Sequence, residues 1–219
     1  MKTAIELENI RHEFDTHKEC IRLFDNLSLS LRKGQSLAIV GPSGAGKSSL
    51  LSIAAGLEAP TGGTVRFFVR GRQVDARTLR AHSGFIFQQF HLMPELDAIG
   101  NLALPLRLKG RRDAFDQAAA WLDKVGLLER ARHRPHQLSG GEQQRIALAR
   151  AFISKPDFIF ADEPTGNLDA RTSEGVTSLM LDCARETGCG LVIVTHSSRL
   201  AAQADERLHL EAGKLEMAA

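Results

Sequence analysis

The run Gly41-Pro42-Ser43-Gly44-Ala45-Gly46-Lys47-Ser48-Ser49 carries the spacing G-x-x-x-x-G-K-S. Glycines allow close backbone approach and unusual dihedrals. Loop N–H groups and the start of a following helix then face anionic oxygens. Lys47 is placed to reach the β- and γ-phosphates of a nucleotide, and the Ser48 hydroxyl to ligate Mg²⁺. A second chemical pair is Asp162-Glu163, directly after four apolar residues. A carboxylate at a buried strand end can hold Mg²⁺, as Asp162 would, and Glu163 is placed to polarise a water for in-line attack. The third signal is Ser139-Gly140-Gly141, opening a segment of good helix formers. A hydroxyl and free N–H groups at a helix start again suit an anion. Glu142 completes a capping box, which leaves the glycine pair unexplained.

These groups need elements to hold them. Residues 36–40 read as a short buried strand feeding the loop, and residues 50–55 as the helix after it, ending at Gly56. Residues 5–14 read as an edge strand, 23–31 and 64–69 as further strands, and 84–87 as a short apolar strand stopping at Gln88. Helical spacing then takes over at 97–108, at 113–125 with Asp113 as N-cap, and at 139–153. The chain returns to strands at 158–161, 190–195 and 206–210, with a helix at 170–186 and a short one before the last strand. Apolar strands alternating with helices imply a parallel sheet covered on both faces, with ligands beyond its C-terminal strand ends. Gly41, Asp162 and His196 each follow an apolar strand, so one strand-end face can hold all three. The expected organisation is one domain over 1–219: a nucleotide-binding core from 1–87 and 156–219, and an inserted α-helical lobe at 88–155.

The 219 residues are 43% hydrophobic and 25% charged, an ordinary globular balance. With 28 Lys and Arg against 26 Asp and Glu, the formal charge of +2 makes no case for nucleic-acid binding. No apolar run reaches bilayer-spanning length, and acids interrupt the N-terminal stretch where a signal peptide needs an apolar core. A cytosolic protein is expected. Cys20, Cys183 and Cys189 lack metal-site spacing and read as reduced, mostly packing residues. His82, His91, His133 and His136 read as surface or packing residues, and Arg111-Arg112 as a solvated helix lead-in.

Leu138-Ser139-Gly140-Gly141-Glu142 resembles the signature sequence of ATP-binding-cassette (ABC) ATPases. The family's other motifs follow in order over essentially the whole chain. Residues 41–48 resemble the Walker A loop, and Gln88 the Q-loop glutamine. Residues 158–162 with Glu163 resemble Walker B and its catalytic glutamate. Gly166-Asn167-Leu168-Asp169 resembles the D-loop, and His196 the switch histidine. Phe14 stands where the family places an aromatic on adenine; it replaces the commoner tyrosine, and Ser197 replaces the usual aspartate after the histidine. Residues 84–94 and 161–169 look like the ATPases of the lipoprotein-release and macrolide-export group, which includes the cell-division ABC ATPase.

The resemblance implies an α/β fold: a P-loop NTPase (RecA-like) core with a mixed sheet, an antiparallel β subdomain and an inserted α-helical subdomain. It implies ATP hydrolysis with Mg²⁺, in a homodimer docked on integral membrane permeases at the cytoplasmic face of the inner membrane. Residues 41–49 and Phe14 would bind ATP. Gln88 would sense the γ-phosphate and Mg²⁺, and His196 would orient the water with Glu163. Asp169 would reach the opposing subunit, and Ser139, Gly140 and Gly141 would bind the γ-phosphate held by that subunit. An ATP-gated regulator or scaffold without transport, or a soluble ABC ATPase, is the alternative. Soluble members usually carry a long coiled-coil insertion or two cassettes, and this chain has one cassette with a compact helical segment.

Overall fold

The computed structural model describes residues 2–15 and 20–218. Strand β1 (Ala4–Asp15) pairs antiparallel with β2 (Cys20–Arg32) on one side and β4 (Gly62–Val69) on the other. It therefore lies inside a sheet of order β2-β1-β4-β5, with β5 at Arg72–Val74, and is not the expected edge. The reason is pairing: its backbone bonds to β2 along one edge and to residues 62–69 along the other, while Ile5, Leu7 and Ile10 face the core. A register shift falls at Asn9, whose φ is 52° and whose N–H donates to Ser28 Oγ at 3.0 Å.

The second sheet has the order β10-β9-β3-β8-β7-β6. Strands β3 (Ser36–Val40), β6 (Ser83–Phe87), β7 (Phe158–Asp162), β8 (Gly190–Val194) and β9 (Glu206–Glu211) run parallel, and β10 (Lys214–Met217) turns back antiparallel. The sheet is mixed, as expected. Every residue of β8 is buried, and each aliphatic side chain so enclosed stabilises the fold by about 1.5–3 kcal/mol. The order β3-β8-β7 carries the functional consequence. The loop after β3, Glu163 after β7 and His196 after β8 emerge from three adjacent strands. Backbone bonds tie the exits together: Glu163 N–H to Val194 O at 2.9 Å, and Thr195 N–H to Ile39 O at 3.1 Å.

The helices are α1 (Lys47–Ala54), α2 (Ala76–Ala81), α3 (Ala98–Leu108), α4 (Ala114–Lys124), α5 (Gly140–Phe152), α6 (Ala170–Thr187) and α7 (Ser198–Ala201). Helix α5 serves two cores. Its Leu148, Ala151 and Phe152 pack with β7, β8 and α6 residues, while Ile146 and Ala149 pack with α3 and α4. Gly84 permits the close approach of β6 to α5: a Cβ there would lie 2.5 Å from Ala151 O.

Local readings shift at two places. Asp113 precedes α4 but caps nothing with its side chain. Its carboxylate instead accepts from Arg111 (3.0 and 2.8 Å) and from Gln117 (2.7 Å), so Arg111 is paired. Those bonds hold the Asp113 carboxyl far below the usual range. Cys183 and Cys189 are buried, and Cys20 is exposed.

Candidate nucleotide site

The phosphate loop is built for close approach. Gly41 sits at φ 155°, where a Cβ would lie 2.2 Å from Leu210 O; Gly46 sits at φ 91°, where a Cβ would strike the Phe24 ring at 2.9 Å. Gly46 also starts α1 with no side-chain cap, leaving the first-turn N–H groups for an anion. Lys47 is buried, and its Nζ donates to Gly41 O and Pro42 O, both at 2.9 Å. His196 Nε2 stands 3.5 Å from the same Nζ. Burial lowers the Lys47 pKa, and the charges of Glu163 and Asp162 partly restore it.

Ser48 Oγ donates to Asp162 Oδ1 at 3.1 Å. Burial pushes the Asp162 carboxyl up, against the Ser48 bond that favours its anion; nearby Glu163 raises it further. Two hard oxygen donors side by side fit a hard divalent cation that takes its other ligands from phosphate and water. Among the described residues, no group of three or more His, Cys, Asp or Glu could hold a metal by itself.

Glu163 adopts φ 44°, a strained conformation for a residue other than glycine. Its Oε2 accepts from His196 N–H at 3.2 Å and from Thr195 Oγ1 at 3.3 Å. Its Oε1 is buried, with His196 Nε2 3.2 Å away. A carboxylate held in place by these contacts beside the phosphate loop has the chemistry of a proton acceptor. A cleft of about 300 Å³ collects Ser43, Gly44, Gly46, Lys47, Ser48 and Ser49 with Glu163 and His196. A second cavity, about 610 Å³, meets it at Glu163 and His196 and reaches Gln88 and Thr195.

The other expected residues stand apart from the cleft lining. Gln88 Nε2 donates to Asn167 Oδ1 and Asn167 Nδ2 returns a bond to Gln88 O, each at 3.0 Å. Phe14 is 41% exposed and lies edge-on against His12 at 4.7 Å. His12 stacks on Phe24, so a row of rings joins Phe14 to the phosphate loop. Ser139 caps α5, accepting from Glu142 N–H at 3.3 Å while Glu142 Oε2 accepts from Ser139 N–H at 2.8 Å. Asp169 caps α6 through Thr172 N–H at 3.0 Å, a bond that lowers its pKa. Gly140 packs near Leu168, and a Cβ on Gly141 would lie 2.4 Å from Thr172 Cγ2. Close packing of α5 on α6 thus gives Gly141 a structural reason that the sequence did not reveal. Ser197 caps α7, its Oγ accepting from Leu200 N–H at 3.2 Å, so a hydroxyl fills the place of the usual aspartate.

Leu23, His12 and Thr195 join the site without having been singled out from sequence, and Asn167, read there only as part of the D-loop motif, joins it through Gln88. Thr195 alone had a local signal, its place between a buried strand and His196. Of the histidines read as packing residues, His82 pairs with Asp157 at 3.1 Å and His91 lies edge-on to Phe87 at 5.0 Å.

The family model described as "ABC transporter" matches residues 24–166. The lipoprotein-releasing system ATP-binding protein LolD of Hahella chejuensis is 41% identical over 97% of this chain and 95% of its own length. LolD 1 of Rhodospirillum rubrum is 43% identical over 98% of both chains. Among solved structures, the bacterial ABC transporter cassette MJ0796 superposes with a TM-score of 0.85 at 35% identity, over 97% of this chain and 96% of its own. It has been seen as a dimer, and in a post-hydrolysis dimer bound to ADP and Pi. With the phosphate loop, the paired carboxylates and the histidine brought together by three adjacent strands, the chain belongs to the ABC transporter family and is an ABC-type ATPase.

Proposed function

We propose that this chain powers the release of lipoproteins from a membrane. It works as a homodimer, peripheral on the cytoplasmic face of the inner membrane, beneath separate membrane-spanning permeases. The convergence of Lys47, Ser48, Asp162, Glu163 and His196 at three adjacent strand ends carries the catalytic part. The LolD relatives support the cargo class. No helix among the described residues is long and apolar enough to cross a membrane, so permeases supply the path.

Residues 41–49 hold the phosphates of ATP, and Phe14 stacks on its base. Mg²⁺, held by Ser48 and Asp162 and monitored by Gln88, would neutralise charge on the β- and γ-phosphates. Glu163 Oε1 takes a proton from water as the water oxygen attacks the γ-phosphorus and the bond to ADP breaks. His196 orients that water. Ser139, Gly140 and Gly141 of a second copy close over the γ-phosphate, and Asp169 crosses to that copy. Residues 88–155 act as a lobe on the core formed by 1–87 and 156–219. A groove of about 380 Å³ between β6, α3 and α5 includes Phe85, Phe87, Pro105 and Leu108. Leu108 at its margin is 80% exposed, and the groove adjoins Gln88. It is the seat assigned to a permease segment.

Replacing Glu163 by Gln keeps the shape and removes the base. ATP binding should stay within about threefold, turnover should fall by a factor on the order of 100 or more, and ATP should trap a dimer. Hydrolysis at the wild-type rate would remove Glu163 from this role. Co-purification with membrane proteins bearing a large periplasmic domain tests the partner class.

A further inference from the structure

Gln144 lies on α5, just beyond Ser139-Gly140-Gly141, and is fully buried. Its Nε2 donates to the carbonyl of Pro164 and, at 3.5 Å, to that of Phe87. Both neighbours are acceptors, so the nitrogen and not the oxygen must face them. The Oε1 is buried with no partner. Enclosing a half-satisfied amide is costly, and an apolar side chain of the same length would fill the space without that cost.

The two carbonyls flank the chemistry. Pro164 follows Glu163, and Phe87 precedes Gln88. The loops that bear them are also linked directly. Gln88 and Asn167 exchange hydrogen bonds, and Gly166 lies so close to Gln88 that a Cβ would stand 3.0 Å from its Nε2. One side chain of α5 therefore pins a pair of already joined loops. The start of the same helix, about one turn away, carries Ser139.

We propose that Gln144 is a positioning residue. It sets the register of Glu163 and Gln88 against α5, so that a change in the lie of that helix is felt at the hydrolytic carboxylate. It touches no nucleotide. The inference rests on the roles proposed above for Glu163 and Gln88.

Two substitutions test it. Gln144→Met keeps the length, stays flexible and removes both donors. Gln144→Glu keeps the length and offers a single donor only when protonated. The measurements are kcat and KM for ATP, normalised to folded protein by circular dichroism. Misplacing a catalytic group by a fraction of an ångström costs rate more than binding. For Gln144→Met, kcat should fall about tenfold or more while KM stays within about threefold. For Gln144→Glu, turnover relative to wild type should rise between about pH 8 and about pH 6, because burial against two carbonyls favours the protonated acid.

A Gln144→Met protein whose kcat stays within about twofold of wild type, with only its melting temperature lowered, overturns the proposal. So does a Gln144→Glu to wild-type ratio that is flat with pH, which can be read even where the Met variant fails to fold. Glu163→Gln is assayed beside them. If it hydrolyses ATP normally, the reading of Glu163 fails; if it is dead while Gln144→Met is fully active, only the role of Gln144 fails.

Discussion

Asp162 and Lys47 are held at odds with their charges, mainly by burial. The folded pKa of Asp162 is raised above 3.8, so its favourable contribution exists at low pH and is lost as pH rises through the folded value. The folded pKa of Lys47 is lowered below 10.5, so its ammonium costs stability at neutral pH, a cost relieved as pH rises through that lowered value. Asp162→Asn should therefore raise the melting temperature of the nucleotide-free protein at neutral pH by about 2–4 °C, while ATP with Mg²⁺ no longer adds stability. Scanning calorimetry reads both, and a lower melting temperature without nucleotide would contradict this reading of Asp162. The sequence made Lys47, Ser48, Asp162 and Glu163 legible because the first two open a helix after a glycine loop and the last two close an apolar strand, in spacings that chemistry explains. Leu23 and His12 were illegible because they reach the site from other strands, and nothing in their own neighbourhoods marks them; Asn167 was visible only as part of its motif, and its bond to Gln88 comes from the fold.

At the scale of elements, the long helices and the short apolar strands of the core read correctly, and three short elements were missed. The helices from α3 to α6 carry enough turns to show their period. Strand β5 has 3 residues, β10 has 4 and α2 has 6, too few for any period to show. The interior place of β1 depends on pairing with residues 62–69, which no local pattern encodes. Helix α5 has the most demanding surroundings, packing on β6, α3, α4 and α6 together. Gly84→Ala tests its approach to β6. The added methyl would meet Ala151 O and Ile159 Cδ1 at 2.5 and 2.6 Å, and the first is backbone that cannot swing aside. A loss of about 1–3 kcal/mol is expected, read as a lower urea midpoint at unchanged slope. An unchanged midpoint would mean that β6 and α5 are less closely packed.

Across the whole molecule, the residues proposed for the nucleotide fall into two sets. Lys47, Ser48, Glu163 and His196 share one cleft, with Asp162 bonded to Ser48 beside it, while Ser139, Gly140, Gly141 and Asp169 lie outside its lining, at the packed first turns of α5 and α6. The head-to-tail pair of copies proposed above would account for that separation, each cleft being completed by the other copy's helix start, with ATP in the interface. The same division explains why the phosphate loop alone identifies a nucleotide binder, and the second glycine pair adds the need for a partner. The most direct measurement is steady-state ATPase activity over an enzyme dilution series at saturating ATP and Mg²⁺. The expected result is a specific activity that falls on dilution, with rate rising as the square of enzyme concentration below the dimerisation range. A rate strictly proportional to enzyme concentration throughout, with specific activity constant far below that range, would contradict a site shared between two copies.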